Sequence, residues 1–526
     1  MHEALANERF EDASRFIASQ SEAQLVECFE GVDGCLKSGL HVIAAMSDTD
    51  EASKLCRQLM HKIKNAANRE YLLNMRTKDE FDMGCGRTVH ARVAAIHMAA
   101  YTGNSGVVRL LCEDYGIDVN CSTSETLEDK PKKGMTALEW AARKGHAQVV
   151  KVLLDNKANV NISRPADGVT PLCVAAQNGH VEVVKLLLDN KSDVNVTASS
   201  YSATPLYTAA LTGHVEIVKL LLDNKADVNA RCTTDDYTAL LVAAQEGHVE
   251  VVKLLLDNDA DVNVSRPSDN VTPLLIAAQG GHVEVVKLLL DNKADVNARC
   301  TNDYTALLIA AQVGHVEVVK LLLNNKGDVN VSRNRDSATP LYVAAEKGHA
   351  EIVKLLLDNK ADMNASCIDN YTPLFIAAQQ RHVEIVKLLL DNKADVNVSR
   401  TSDSTTTLHI AAQDGHVEIL KLLLDNKADV NARCTDDYTA LLMAAQDGHV
   451  EVAKLLLDNK ADVNVSRPSD SATPLYIAAK NGHTEIVKLL LANKANVNAR
   501  LSKLFGEKPI DAARQNHHLD IVRLLQ

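Results

Sequence analysis

The stretch TPLLIAAQGGHVEVVKLLLDNKADVN, residues 272–297, decides the fold, because near-copies of it fill most of the chain. Thr272 is placed to cap a helix with its hydroxyl, and Pro273 suits the first helical position. Ala277 lies on the face of that helix where a small side chain lets a neighbouring backbone approach closely. Gly281 stands where a left-handed residue commonly ends a helix. The stretch therefore predicts a short first helix.

The segment VEVVKLLL, residues 283–290, predicts a second helix that is apolar nearly all round, with Glu284 and Lys287 left to face water as an ion pair. Such a helix must be covered on several sides. A unit of about 33 residues buries too little surface to offset its own chain entropy. Stacked copies cover one another, so the repetition predicts an array of helix pairs.

The copies closely resemble the ankyrin-repeat family, whose consensus reads TPLHxAAxxGHxxVVxxLLxxxADVN. About thirteen copies occupy residues 91–526. The resemblance implies an all-α ankyrin-repeat solenoid, with helix pairs joined by β-turn fingers. It also implies a non-enzymatic scaffold that binds protein partners along its concave and fingertip surface. Two alternatives remain: an elastic or spacer-like structural repeat protein, and a regulatory subunit of an enzyme complex.

Composition narrows the classes of partner. The 526 residues carry a net charge of −13 and only 3% aromatic residues, without a concentrated basic patch. This argues against a nucleic-acid binder. The N-terminus lacks the pattern of a secretory signal, and no long apolar run is present, so we expect no membrane insertion. We expect an intracellular monomer, in the cytoplasm or alternatively the nucleus.

Cysteine spacing fits a reducing compartment. Cys232, Cys300, Cys367 and Cys434 recur at intervals of two copies. Stacked layers would hold them about 20 Å apart, whereas a disulfide requires Cα atoms within about 7 Å. Free thiols are therefore expected, as in the cytosol.

Two regions depart from the repeat. Residues 1–90 lack it, but an amphipathic stripe between Glu51 and Met75 predicts a helix. This region is interpreted as an N-terminal helical cap, as degenerate repeats or as a separate domain. An insertion near residues 121–134, charged and with Pro and Gly, predicts an exposed loop. In one copy Arg381 replaces the helix-ending glycine, at a cost of about 1 kcal/mol if the backbone there is left-handed.

No residue pattern of an enzyme or metal site is evident. Each regular copy carries a histidine after its glycine, and layers about 10 Å apart cannot bring such histidines onto one ion. We expect each imidazole to hold the loop beside its own helix. HExxH, GxSxG, CxxC and P-loop motifs are missing from the sequence. We therefore expect no catalytic residue, no metal and no cofactor.

Two sets of residues are candidates for partner binding. The fingers carry arginines that would either grip acidic groups bidentately or form a solvated ladder balanced by nearby aspartates. The first helices carry aromatic residues where the consensus has histidine, and these are either anchors on an open groove or packed between layers. The arginines are Arg231, Arg266, Arg299, Arg333, Arg400, Arg433 and Arg467, and the aromatic residues are Tyr207, Tyr342, Phe375 and Tyr476.

The asparagines that end the DVN turns form a third candidate set. They are Asn195, Asn229, Asn263 and Asn297, each with a leucine eight residues earlier. This pattern resembles the site modified by the ankyrin-directed asparaginyl hydroxylase, which mass spectrometry would detect as one added oxygen. Hydrogen bonding within the turn is the alternative explanation of these asparagines.

Overall fold

The computed structural model describes residues 10–20, 43–46, 50–63, 81–82, 88–89, 91–92, 94–127, 130–164, 167–197, 203–232, 236–502 and 506–526. The chain divides into two units, residues 1–268 and 269–526. The described parts contain thirteen consecutive helix pairs. In each unit first helices pack on first helices and second helices on second helices. This is the predicted all-α solenoid architecture.

The first unit begins with two helices that precede the regular pairs. These are α1 (Phe10–Ser19) and α2 (Asp50–Lys62). The pairs that follow are α3 (Ala95–Thr102) and α4 (Ser105–Arg109, continued by a π-helical turn at Leu110–Asp114), α5 (Ala137–Lys144) and α6 (Ala147–Asp155), α7 (Pro171–Gln177) and α8 (Val181–Asp189), α9 (Pro205–Thr212) and α10 (Val215–Asp223), and α11 (Ala239–Glu246) and α12 (Val249–Asp257).

The second unit consists of eight pairs. They are α13 (Pro273–Gly280) and α14 (Val283–Asp291), α15 (Ala306–Val313) and α16 (Val316–Asn324), α17 (Pro340–Lys347) and α18 (Ala350–Asp358), α19 (Pro373–Gln379) and α20 (Val383–Asp391), α21 (Thr407–Gln413) and α22 (Val417–Asp425), α23 (Ala440–Asp447) and α24 (Val450–Asp458), α25 (Pro474–Asn481) and α26 (Thr484–Ala492), and α27 (Pro509–Gln515) and α28 (Leu519–Leu524).

The predicted helix signals act as expected within a pair. The Thr272 hydroxyl accepts a hydrogen bond from the Leu275 amide at 3.3 Å, and Pro273 occupies the first turn of α13. Gly281 ends α13 with φ 73°. In α14, Val285, Val286 and Leu289 have no exposed surface, so this apolar helix is covered by its neighbours. Burial between layers supplies the hydrophobic free energy that one isolated pair lacks.

The described part of the N-terminal region packs on the first pair. Helix α1 packs on α2, and α2 packs against α4. The Thr102 hydroxyl donates to the Ala44 carbonyl at 2.9 Å, and the Asn104 amide donates to the Met46 carbonyl at 3.2 Å. Residues 43–46 form a helical turn just before α2, in the order of a repeat. This arrangement favours a degenerate repeat that covers the end of the stack. The predicted helix continued to Met75, whereas α2 ends at Lys62 and residues 64–80 lie outside the described part.

The insertion before α5 is a β-hairpin, so the expectation of an exposed loop was wrong. Strands β4 (Ser122–Leu127) and β5 (Lys130–Thr136) pair antiparallel, and β3 (Ala91–Arg92) adds to β4. A separate two-stranded pair is formed by β1 (Phe81–Asp82) and β2 (Thr88–Val89). The charged composition suggested solvent exposure, but backbone pairing satisfies these amides whatever the side chains are.

Two physical reasons place glycine at the end of the first helix. Gly348 has φ 84°, a left-handed conformation that costs other residues about 1–2 kcal/mol. In addition, a Cβ added there would lie 2.7 Å from His382 Cε1 of the following repeat. A side chain at this site would therefore be strained in its backbone and would also displace the neighbouring imidazole.

We expect Gly348→Ala to lower the free energy of unfolding by at least about 2 kcal/mol, because it combines left-handed strain with a steric conflict. Gly116→Ala is the matched control: Gly116 has φ 60°, but nothing lies within 4 Å of an added Cβ, so only about 1 kcal/mol should be lost. Urea unfolding followed by circular dichroism would measure both. Equal losses would show that contact with His382 contributes nothing.

Candidate interface and the contacts between repeats

The repeated histidine joins each repeat to the one before it. His349 Nε2 donates to the Gln312 carbonyl of the preceding repeat at 3.2 Å, and a Cβ on Gly314 would lie 2.7 Å from His349 Cε1. The expectation that each imidazole holds its own loop was therefore wrong. The ring reaches across because glycine leaves room for it. The same bond, at 2.8–3.3 Å, joins His146–Tyr101, His180–Arg143, His214–Gln177, His248–Leu211, His315–Gln279, His382–Glu346, His449–Gln413, His483–Gln446 and His518–Lys480.

The turn asparagines make a second contact between repeats. Asn195 Oδ1 accepts from the Asp227 amide at 2.8 Å, Asn229 Oδ1 from the Asp261 amide, and Asn297 Oδ1 from the Asp328 amide. The Asn263 backbone amide donates to Asp261 Oδ1 in its own turn. Hydrogen bonding thus accounts for the side chains of Asn195, Asn229 and Asn297, and it extends beyond the single turn foreseen from the sequence. Hydroxylation of these asparagines stays a prediction.

The finger arginines fall into two alternating sets, and the first set lies over tyrosine rings. The Arg333 guanidinium is centred 4.9 Å from the Tyr304 ring of the preceding finger and donates to the Tyr304 hydroxyl. It also pairs bidentately with Asp336, at 3.0 and 2.6 Å. Only 17% of the Arg333 side chain is exposed. The equivalent stacks are Arg266 on Tyr237, Arg400 on Tyr371 and Arg467 on Tyr438.

The second set of arginines is more exposed and bonds to backbone. Arg299 Nη1 donates to the Ser332 carbonyl of the next finger at 3.1 Å, and Arg231 and Arg433 bond in the same way to Ser265 and Ser466. The Arg433 side chain is 44% exposed. Neither sequence interpretation describes the stacked set, which is neither free to grip a partner nor a solvated ladder. The second set keeps donors that a partner could reach.

The four aromatic candidates are not equivalent. Phe375 is 2% exposed and meets the Tyr371 ring edge-on at 4.9 Å. Tyr476 is also buried, and its hydroxyl donates to Glu507 at 2.7 Å. The packed alternative therefore applies to these two, and they are not anchors on an open groove. Tyr207 and Tyr342 are half-buried, and burial together with the hydrogen bond to Cys367 raises the pKa of Tyr342.

Sequence reasoning missed the tyrosines beneath the stacked arginines. Tyr237, Tyr304, Tyr371 and Tyr438 each lie 29 residues before their arginine, in the finger of the preceding repeat. Tyr237 also donates to Gln245 Oε1 at 2.9 Å, which fixes its ring beside the first-helix face. The signal in the sequence was the shared recurrence of Tyr and Arg every second repeat.

The exposed residues at the ends of the first helices remain open to a partner. Gln279, Gln413 and Gln446 are exposed in the second unit, and Val313 is 46% exposed. The residue type at or next to the last position of the first helix differs from copy to copy, whereas the residues that join neighbouring repeats are nearly the same in each copy. In the first unit it is Lys144, Asn178, Thr212 and Glu246, and in the second Gly280, Val313, Lys347, Gln380, Asp414, Asp447 and Asn481, all exposed.

A polar cavity of about 170 Å³ lies beside the hairpin in the first unit. Glu139 in its wall is 2% exposed, and Arg164 Nε lies 3.1 Å from Glu139 Oε1. The two atoms are close, but they are not aligned as a hydrogen bond. Burial therefore outweighs the attraction of Arg164 and raises the pKa of Glu139 to about 7. Sequence reasoning did not single out this residue.

Other site chemistry is limited among the described residues. Cys232, Cys300, Cys367 and Cys434 are not in disulfide bonds, as their spacing predicted. Within the described ranges, no three His, Cys, Asp or Glu side chains come together in a way that would hold a metal ion. None of the helices there has the length and apolar character needed to span a bilayer.

Helix pairs joined through histidine, asparagine and finger contacts define a solenoid of the ankyrin type. A family model described as ankyrin repeats (3 copies) matches residues 40–164, 96–198, 196–266, 240–333, 325–400, 399–467 and 463–526. The chain therefore belongs to the ankyrin-repeat family. The first match begins before α2, which also favours a degenerate repeat there. Comparison with curated proteins gives no match. Ankyrin repeats are in general non-enzymatic protein–protein interaction modules.

We expect Arg333→Lys to lower the free energy of unfolding by about 1–2 kcal/mol, because lysine keeps the charge but loses the stack and the bidentate pair. Arg335→Lys serves as the control, since Arg335 lies two residues away and is exposed. Urea unfolding of the two full-length variants would give the difference. If both variants match the wild type, the stack on Tyr304 is not a stabilising contact.

The pKa of Glu139 predicts a pH dependence of stability. The carboxyl ionises near pH 4.5 in the unfolded chain and near 7 in the folded one. Between these values the folded chain binds more protons, so its stability falls as pH rises, by on the order of 3 kcal/mol in total. Glu139→Gln should flatten this slope, while Glu182→Gln, at an exposed position of α8, should leave it unchanged. Unfolding measured from pH 4.5 to 7.5 tests this, and an unchanged slope in Glu139→Gln would contradict it.

Proposed function

We propose that the chain is a non-enzymatic scaffold whose partner proteins bind along the exposed ends of the first helices and the neighbouring fingers. The main observation in support of this function is a contrast between two kinds of residue position. Residues that join the repeats are nearly constant and occupied, whereas the exposed last turns of the first helices differ from copy to copy. Variation at open positions on a constant framework is what selective binding requires.

The chemistry of the second unit suggests the character of the partner surface. Val313 offers an apolar contact, Lys347 a positive charge, and Asp414 and Asp447 negative charges further along the chain. A complementary partner would present an apolar side chain, then an acidic group, then basic groups in the same order. Arg299 and Arg433, half exposed at the fingers, would add donors to carbonyl or carboxylate oxygens.

The stacked arginines and buried aromatic residues take a different role in this proposal. Arg333 and Arg467 are held by tyrosine and aspartate, and Phe375 is buried, so contact with a partner would first have to break bonds within the array. Partner binding is therefore assigned to Arg231, Arg299 and Arg433 rather than to the stacked set. Half-buried Tyr207 and Tyr342 would contribute only their exposed edges.

A structural spacer is the second candidate, because the contacts between repeats are so uniform. The same histidine bond and the same asparagine bond recur at neighbouring joints in both the first unit and the second unit. Uniform joints would extend and refold independently under load. A chain without any saturable partner that unfolds stepwise and reversibly under force would favour this function.

We further propose an intracellular location, in the cytoplasm or alternatively the nucleus. The support is the set of free cysteines at regular positions, several of them buried, which suits a reducing compartment. The partner is taken to be a protein, bound by a monomeric chain.

The scaffold proposal predicts that Val313→Asp weakens partner binding about tenfold or more without loss of stability, because Val313 is exposed in the free chain. Proteins captured by the immobilised full chain would be identified by mass spectrometry, purified and titrated against each variant. Val417→Asp is the control, since Val417 is 41% exposed but begins a second helix. Binding that is equally tight in both variants would place the interface elsewhere.

A further inference from the structure

One joint of the second unit lacks the histidine contact. The repeat of α19 and α20 carries Arg381 where its neighbours have glycine, and Arg381 keeps the left-handed backbone with φ 62°. Its Cβ therefore stands where the imidazole of the next repeat would lie. At the equivalent glycines of this unit, a Cβ would come within 2.5–2.7 Å of that ring.

His416, the histidine of the following repeat, does not make the hydrogen bond to the preceding repeat that its equivalents in the described part of the chain make. In neighbouring joints the ring donates to the carbonyl two residues before the glycine, as His449 does to Gln413 at 2.8 Å. Within the described residues, His416 makes no such bond to Gln379, and its Nδ1 is buried without a hydrogen-bond partner. The joint thus loses one stabilising hydrogen bond and carries the cost of a buried polar atom left unsatisfied.

The finger edge of this same joint is held more strongly than its counterparts. Asp369, in the finger before α19, accepts from the Thr401 hydroxyl, the Ser402 amide and the Ser402 hydroxyl, each at 2.7 Å. Arg400 Nε adds an ion pair to Asp369 at 3.1 Å, and Asn370 donates to the Ser399 carbonyl at 2.8 Å. The hydroxyls of Ser402 and Thr401 are the main reason that the pKa of Asp369 lies below its usual value.

We propose that the joint between the repeat of α19 and α20 and the repeat of α21 and α22 is a hinge. Its pivot is the finger cluster of Asp369 with Arg400, Thr401 and Ser402. Its opening edge is the pair of turns at Arg381 and His416, where the contact that closes neighbouring joints is missing. When two repeats are held together by hydrogen bonds at one edge and lack a hydrogen bond at the other, they can rotate relative to each other about the bonded edge.

Opening would change the surface that carries the exposed first-helix ends. Gln380 and Asp414 end the two first helices at this joint and lie next to the turns that separate. Rotation about the fingers would alter the distance between them. Curvature of the second unit could then adapt to a partner, or be set by one that bridges the joint. The hinge itself does not depend on the proposed scaffold function.

Distances across two joints test the proposal in the full chain. Spin labels on unnatural amino acids would replace Glu384 and Glu418, which begin the second helices on either side of the hinge and are exposed. The control pair, Glu418 and Glu451, spans the next joint, where His449 is bonded. We expect a broader distance distribution for the first pair than for the second in pulsed electron paramagnetic resonance.

Exchanging the residues at the two joints provides matched variants. Arg381→Gly should let His416 reach Gln379 and narrow the first distribution to the width of the control. Gly415→Arg should broaden the control pair. Relief of backbone strain alone would stabilise Arg381→Gly without changing either width, so that outcome overturns the hinge. Equal widths for both pairs in the wild type would overturn it as well.

Hydrogen exchange gives a second readout on unlabelled protein. Amides of the turn before α22 should exchange about tenfold faster than those before α24, and Arg381→Gly should remove the difference. Asp369→Ala should speed exchange at residues 399–402, because it removes the pivot. Faster exchange at the fingers than at the turn in the wild type would reverse the assignment of pivot and opening edge, and would contradict the proposal.

Discussion

Most joints of the described stacks are closed by one contact, in which the imidazole of a repeat lies over the glycine that ends the first helix of the repeat before it. This contact needs a left-handed backbone, space in place of a Cβ and an available carbonyl two residues earlier. His382 meets all three requirements at Gly348 and Glu346. Each regular repeat supplies a glycine to its successor and a histidine to its predecessor, so the contact propagates along a unit. Coupling between nearest neighbours is what makes a repeat array stable although a single repeat is not.

Structural features that depend on one copy alone were predictable from the sequence. Contacts that join one copy to the next were largely not. Thr272, Pro273 and Gly281 act within a few residues of one another, and their roles follow from local helix chemistry. Gln312, which accepts from His349, lies 37 residues away, and Tyr304, beneath Arg333, lies 29 residues away, at a register that helix periodicity does not fix. The hairpin at β4 and β5 was missed because its pairing rests on backbone, while its side chains are typical of loops. Phe375 meets the ring of Tyr371, four residues earlier, edge-on, a contact that the helix pattern alone does not specify.

The alternation of two finger types has a structural reason. A finger with tyrosine is followed by a finger with arginine and aspartate, and Arg467 lies over Tyr438 only because the two types differ. Where a finger with arginine is followed by a finger with tyrosine, a backbone hydrogen bond joins the two fingers. The Thr435 amide, for example, donates to the Asp403 carbonyl at 2.7 Å. Duplicating a single copy would place like fingers together and leave an arginine without its ring. Duplicating a pair preserves both joints, which fits the recurrence of these sequences every second repeat.

Uniform joints also limit where selectivity for a partner can come from. Outside the joint at Arg381, the described histidine, asparagine and arginine contacts are already made within each unit, so a partner gains little by competing for them. What distinguishes one stretch of the surface from the next is the exposed end of each first helix and the departures from the pattern. Arg381 is such a departure twice over, since it exposes a charge and removes the contact to His416. Under the proposed function and the proposed hinge, a sequence that repeats itself so closely would concentrate recognition and motion at the few positions where the repeat is broken.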